Sequence, residues 1–210
     1  MFSRLAAGLL AGASLAALAV PAEAGTSRPV RWNTGGAVWT TTSSEFKTFF
    51  STGDITDRAL LEGVNNSGWT AEEIQEGMTK TYAVDIIGVS RFMYSDDGVK
   101  FLKDQTRSYF PYWKMKSTSV VALRSAIIAD SIDGEISSAG IMAELPVDFR
   151  LADTCGTYDG IQNVCAPDKC EGDAQCTSLL SWYVFLPACV QANSALPEPA
   201  PRVAPARPLW

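Results

Sequence analysis

The sequence predicts a mainly α protein: a compact domain of short helices, opened by a small N-terminal β hairpin or strand pair and followed by a disulfide-stapled C-terminal extension. Three observations predict this. Apolar residues recur at three- and four-residue spacing in segment after segment between 43 and 145. Gly, Asn and Asp turns cut each segment short. All five cysteines fall between positions 155 and 189, the pattern of a local staple in an oxidising compartment.

Residues 28–42 read as extended, with Val30, Trp32, Val38 and Trp39 separated by the turn former Asn33-Thr34-Gly35-Gly36. Thr42-Ser43-Ser44-Glu45 offers capping hydroxyls to a helix that aligns Phe46, Phe49 and Phe50 and stops at Gly53. Asp54 is placed to cap the next element, and Asp57 to Val64 forms a second helix burying Leu60, Leu61 and Val64. Thr70-x-x-Glu73 is a capping box, with Trp69 positioned to staple onto Ile74 and the helix running to about Lys80. A helix over 84–94 uses Ile86, Ile87, Val89, Phe92 and Met93 as its apolar face. Ser95-Asp96-Asp97-Gly98 opens the next, which runs on to Tyr109 before Pro111 breaks it. The best-patterned segment is 117–132, with Val120, Val121, Leu123, Ile127 and Ile128 apolar and Gly134 at its end. Ser137 caps a short helix through Ile141, Met142 and Leu145, and 146–150 reads as a strand.

The ends read differently. Within 1–24, Arg4 precedes an apolar run of about 16 residues, shorter than the ~20 of a bilayer span. Pro21-Ala22-Glu23-Ala24 gives an Ala-x-Ala cleavage pattern, so this stretch is expected to be a signal peptide and the protein to be exported, to a periplasm, a thylakoid lumen or the medium. Residues 25–152 form the helical domain. The stretch 153–190 is expected to be a cysteine-rich loop region with a short apolar element at 179–186, and 191–210 a proline-rich, extended and disordered tail.

The chain carries 17 Lys and Arg against 23 Asp and Glu, a formal charge of -6. Its cations are scattered singly, which argues against a nucleic-acid partner. There is no histidine, which removes Ser-His-Asp, Cys-His and histidine–metal chemistry.

Ser44-Glu45-Phe46-Lys47-Thr48-Phe49, then Ser51-Thr52-Gly53-Asp54-Ile55, then Val89-Ser90-Arg91-Phe92-Met93-Tyr94 with Gly98 and Leu102, then Leu123-Arg124-Ser125-Ala126-Ile127-Ile128-Ala129 ahead of Gly134 and Leu145-Pro146 occur in a familiar order. Over roughly 28–150 this resembles the uncharacterised cyanobacterial domain of unknown function found in exported alpha/beta-hydrolase proteins. The resemblance implies a helical accessory domain beside a hydrolase domain with a Gly-x-Ser-x-Gly elbow and a later histidine. The chain departs from that pattern. Ser90 lies in Gly-Val-Ser-Arg-Phe and Ser138 in Ile-Ser-Ser-Ala-Gly, each lacking one glycine of the elbow. The chain is thus expected to resemble the accessory domain alone, without the hydrolase domain.

The expected disulfide partners are Cys155, Cys165, Cys170, Cys176 and Cys189. Their odd number leaves at least one thiol free or paired with another molecule, and the pairing is open. The gaps in Cys165-x4-Cys170-x5-Cys176 suit zinc poorly. Asp168, Glu171 and Asp173 read as solvated loop acids, as do Asp130, Asp133 and Glu135. No catalytic, cofactor or metal residues are expected, and no cofactor. Tyr109, Tyr112, Trp113 and Lys114 around Pro111 are the expected contact surface, suited to a protein groove or a membrane interface, or else the corner of the core. Arg124, set among apolar residues, is expected to form a structural ion pair with an acid such as Asp85 or Glu144. The function these residues predict is a non-catalytic accessory or binding module acting on another exported protein. The alternatives are an envelope protein cross-linked through the odd cysteine, or a hydrolase-like enzyme by partnership.

Overall fold

The computed structural model describes residues 27–106, 109–111, 116–145, 149–153 and 178–195. Strands β1 (Pro29–Thr34) and β2 (Ala37–Thr42) pair antiparallel, with Thr34 opposite Ala37. That register leaves a two-residue loop, and Gly35 and Gly36 both take positive φ, 56° and 76°. Two left-handed residues give the I′ turn whose twist matches the strands. Trp32 and Trp39 face each other across the pair. Trp32 is fully buried and meets the edge of Phe46 at 5.3 Å.

Helix α1 (Ser43–Thr52) starts on Thr42, whose hydroxyl accepts from the Glu45 amide, and ends on Gly53 at φ 80°. It buries Phe46 and Phe49. Helix α2 (Arg58–Asn65) is capped by Asp57 rather than by Asp54, because Asp57 reaches the Leu60 amide at 2.8 Å. Leu61 faces outward instead of joining Leu60 and Val64. Gly63 lies against Trp32, where an added Cβ would sit 2.9 Å from the indole. Helix α3 (Ala71–Thr79) carries the complete Thr70–Glu73 capping box.

The chain then makes strand β3 (Tyr82–Ala83), helix α4 (Ile86–Tyr94) and helix α5 (Asp96–Gln105). Ser95 both closes α4 and caps α5. Gly98 is required at this elbow, because a Cβ there would collide with the Phe92 carbonyl. The expected continuation of α5 to Tyr109 does not form. Tyr109–Pro111 is strand β4, at the sheet edge where a proline is tolerated. Helix α6 (Lys116–Asp130), strand β5 (Glu135–Ile136), helix α7 (Ser138–Glu144) and strand β6 (Phe149–Ala152) complete this part of the chain.

The sheet order is β2-β1-β6-β4, with β6 parallel to β1 and antiparallel to β4. A second small sheet pairs β3 with β5. The N-terminal hairpin is thus half of a sheet completed by strands from far along the chain.

The largest departure is at the C-terminal side. The short apolar element expected at 179–186 is the longer helix α8 (Leu179–Ser194), which reaches into the stretch expected as a tail and packs on α3, α4 and α7, while 154–177 lie outside the described residues. Its near-continuous apolar sequence suits a helix enclosed by others. The Trp69 indole donates to Ser181 Oγ at 2.6 Å and its ring meets Phe185 at 5.8 Å. Gly77 lets Val184 approach to where a Cβ would be 2.6 Å away. The eighth helix among the described residues therefore belongs to the same core as α3 and α4. Pro187 lies inside it, removing one helical hydrogen bond.

Candidate functional site

Helix α4 begins on Asp85, whose carboxylate accepts the Gly88 amide at 2.9 Å. Val89, Phe92 and Met93 turn inward. Ile87, Arg91 and Tyr94, at positions i, i+4 and i+7, turn outward. Ile87 is 55 % exposed and Tyr94 66 %. The expectation that Ile86 and Ile87 belong to the buried face is corrected: that face is narrower and begins at Gly88.

Helix α6 buries Leu123, Ala126 and Ile127 and leaves Val121 57 % exposed, outside the apolar face expected to include it. Arg124 follows Val121 by one turn, half-buried. Its Nε donates to the Met93 carbonyl at 3.0 Å, and its guanidinium lies 4.5 Å from the centre of the Tyr94 ring. Arg124 therefore caps a carbonyl in the last turn of α4 and covers one face of Tyr94. The expected ion pair does not form: among the described residues no acid, Asp85 and Glu144 included, comes within salt-bridge distance of Arg124. The cation has been consumed by a backbone acceptor and a ring.

At the C-terminal end of α6, Asp130 is partly buried. Its Oδ2 accepts the Ser137 amide at 2.9 Å, and its carboxylate lies so close to Gly140 that a Cβ there would collide with it. Burial pushes the Asp130 carboxyl above its usual value. The Ser137 amide pulls it down, while Asp133 and Glu144 push it further up. Asp130 is thus a structural acceptor, not a solvated acid. Asp133 bonds the Glu135 amide across the Gly134 turn, as an open loop acid would. Among the described residues no group of three metal-ligating side chains gathers, and no helix is long and apolar enough to cross a membrane.

A cleft of about 330 Å³ lies between α4 and the end of α8, lined by Arg91, Phe92, Ser95, Asp97, Asn193 and Ala195 among others. Asp97 is paired with Lys100 at 3.0 Å.

Tyr112, Trp113 and Lys114 lie outside the described residues, and Tyr109 is described only as strand backbone. Cys155, Cys165, Cys170 and Cys176 lie outside as well. Cys189 is buried on α8 and disulfide-bonded. Ser90 is half-buried on α4, and Ser138 is fully buried at the start of α7.

The residues that sequence reasoning missed are Tyr94 and Arg91. The i, i+4, i+7 spacing of Ile87, Arg91 and Tyr94 was visible, but the neighbouring apolar residues drew the helix face one position too wide. No protein-family model matches the chain, and neither curated proteins nor solved structures gave a match.

Proposed function

We propose that this protein is an exported, non-catalytic accessory module that binds another exported protein through the corner where α4 meets α6. The observation that carries the reading is Tyr94: an exposed aromatic ring under which Arg124 lies, on the same helix face as the exposed Ile87, with the exposed Val121 one turn before Arg124 on α6. An aromatic anchor fixed before binding loses little freedom on contact, and Tyr and Arg are the residue types that dominate interface energies. The export reading rests on the signal-like segment 1–24. The accessory role rests on the resemblance over 28–150, whose Phe92-Met93-Tyr94 and Leu123-Arg124 segments are the two that build this corner. The C-terminal staple belongs to the same proposal: Cys189, on α8, would be the anchor through which a disulfide ties the cysteine-rich stretch to that helix.

The test is a pull-down of the tagged mature chain from the native envelope fraction, with and without reductant, beside a Tyr94→Ala/Val121→Asp variant. Both positions are exposed and outside the core, so the variant should stay folded, melting only slightly below the parent through the lost Arg124–Tyr94 contact. One stoichiometric partner that survives reductant and is lost in the variant supports the reading, and a partner hydrolase lacking its own helical domain would join it to the resemblance. Equal capture by both forms, or no partner at all, contradicts it. A dimer that reductant collapses would instead favour a cross-linked envelope protein.

A further inference from the structure

Arg91 has a role of its own open to it, one turn before Tyr94 on the exposed face of α4. It lines the cleft against α8, and it has no hydrogen-bond or ion-pair partner among the described residues. The other charge on that wall, Asp97, is already held by Lys100. Asn193 and Ala195 form the facing side. The chain leaves α8 at Ala195 with φ -56° and ψ 124°, close to the polyproline II region. The next six residues, 196–201, read Leu-Pro-Glu-Pro-Ala-Pro. Alternate prolines favour the same extended form and remove half of the backbone donors that docking would have to satisfy. Glu198 is the first charge after the helix, and three extended residues reach roughly 9 Å.

We infer that segment 196–201 of this chain docks into the cleft between α4 and α8, with the Glu198 carboxylate on the Arg91 guanidinium. The complementarity is of charge and of place: an uncommitted cation on one wall, and the first acid of the departing chain anchored on the other. An exposed ion pair is weak by itself. The tether supplies an effective concentration of about millimolar, so a weak contact is enough to populate the docked form. The inference stands apart from the partner-binding reading, since neither Tyr94 nor Val121 lines the cleft.

The test uses the full mature chain with Arg91→Lys, which keeps the charge and supplies an amine, treated with a water-soluble carbodiimide. The Asp97–Lys100 pair at 3.0 Å is the internal control. The expected result is an amide link between position 91 and Glu198 in the monomer, lost in an added Glu198→Gln change while the control link persists. Its yield should fall several-fold in 1 M salt. The control link alone, or a 91–198 link found only in dimers, would overturn the inference.

Discussion

Helix α6 places opposite charges at two helix junctions, Arg124 from its middle and Asp130 from its C-terminal end, and uses them alike. Arg124 donates to Met93, a carbonyl in the last turn of α4. Asp130 accepts from Ser137, at the residue that caps α7. Each charge serves the backbone of a neighbouring helix rather than an opposite charge. The surroundings differ. Arg124 lies under an exposed ring, where a partner can meet it. Asp130 is pressed against Gly140 and faces Asp133 and Glu144, so it remains a joint. A charged side chain in an apolar helix is therefore not enough to mark a site; what lies beyond its hydrogen bond decides.

Each junction is also closed by a glycine, and the difference predicts unequal damage. Gly98→Ala drives a Cβ into the Phe92 carbonyl, which is backbone and cannot swing aside. A loss of about 3 kcal/mol is expected in urea unfolding. Gly140→Ala meets the Asp130 carboxylate, a side chain that can move once it gives up the Ser137 amide. The expected loss is about 1–2 kcal/mol. Because the two groups touch, adding Asp130→Ala should recover part of that loss. Equal costs for the two glycines would show that both corners yield alike.

Arg124→Ala should cost about 1–2 kcal/mol, from one charge-assisted hydrogen bond and one cation–π contact. Arg124→Lys should recover only part, since an ammonium cannot cap the carbonyl and lie flat on Tyr94 together. Full recovery would mean that charge alone matters.

The acid junction should show a pH signature. The folded chain raises the Asp130 carboxyl above its usual 3.8, chiefly through burial. Between those two values the native state holds more proton than the unfolded state, so this group's contribution to stability falls as pH rises through the window. Asp130→Asn should remove that slope from a series of melts. A steeper loss of stability in the variant would reverse the assignment. The smallest effect belongs to the exposed Asp97–Lys100 pair: Lys100→Ala should leave the melting temperature unchanged.

Local signals in the sequence were reliable where structure is local. The Thr70–Glu73 box, the caps at Thr42, Ser95 and Ser137, the stop at Gly53 and the hairpin loop at Gly35-Gly36 all involve residues within a few positions of one another. The elements that were missed depend on distant partners. Tyr82–Ala83 is a strand because Glu135–Ile136 pairs with it, and Tyr109–Pro111 because Phe149–Ala152 does. Helix α8 was foreshortened because Pro187 and the polar, cysteine-bearing stretch before it read as loop, while Trp69, Gly77 and Val184 hold it in the core. Arg124 was legible as a constrained cation but not as a cap, because its acceptor is a carbonyl 31 positions away. Side-chain type suggests a charge partner; only the fold supplies a carbonyl.

The most direct measurement is a double-mutant cycle on the α4–α6 corner, using Arg124→Ala, Tyr94→Leu and the pair, followed by urea unfolding. If Arg124 holds the Tyr94 anchor in place, the two changes should couple by about 0.5–1 kcal/mol, with little change in high salt. Simple additivity, or a coupling abolished by salt, would show that the ring is not held by Arg124 and would contradict the preformed anchor on which the proposed binding surface depends.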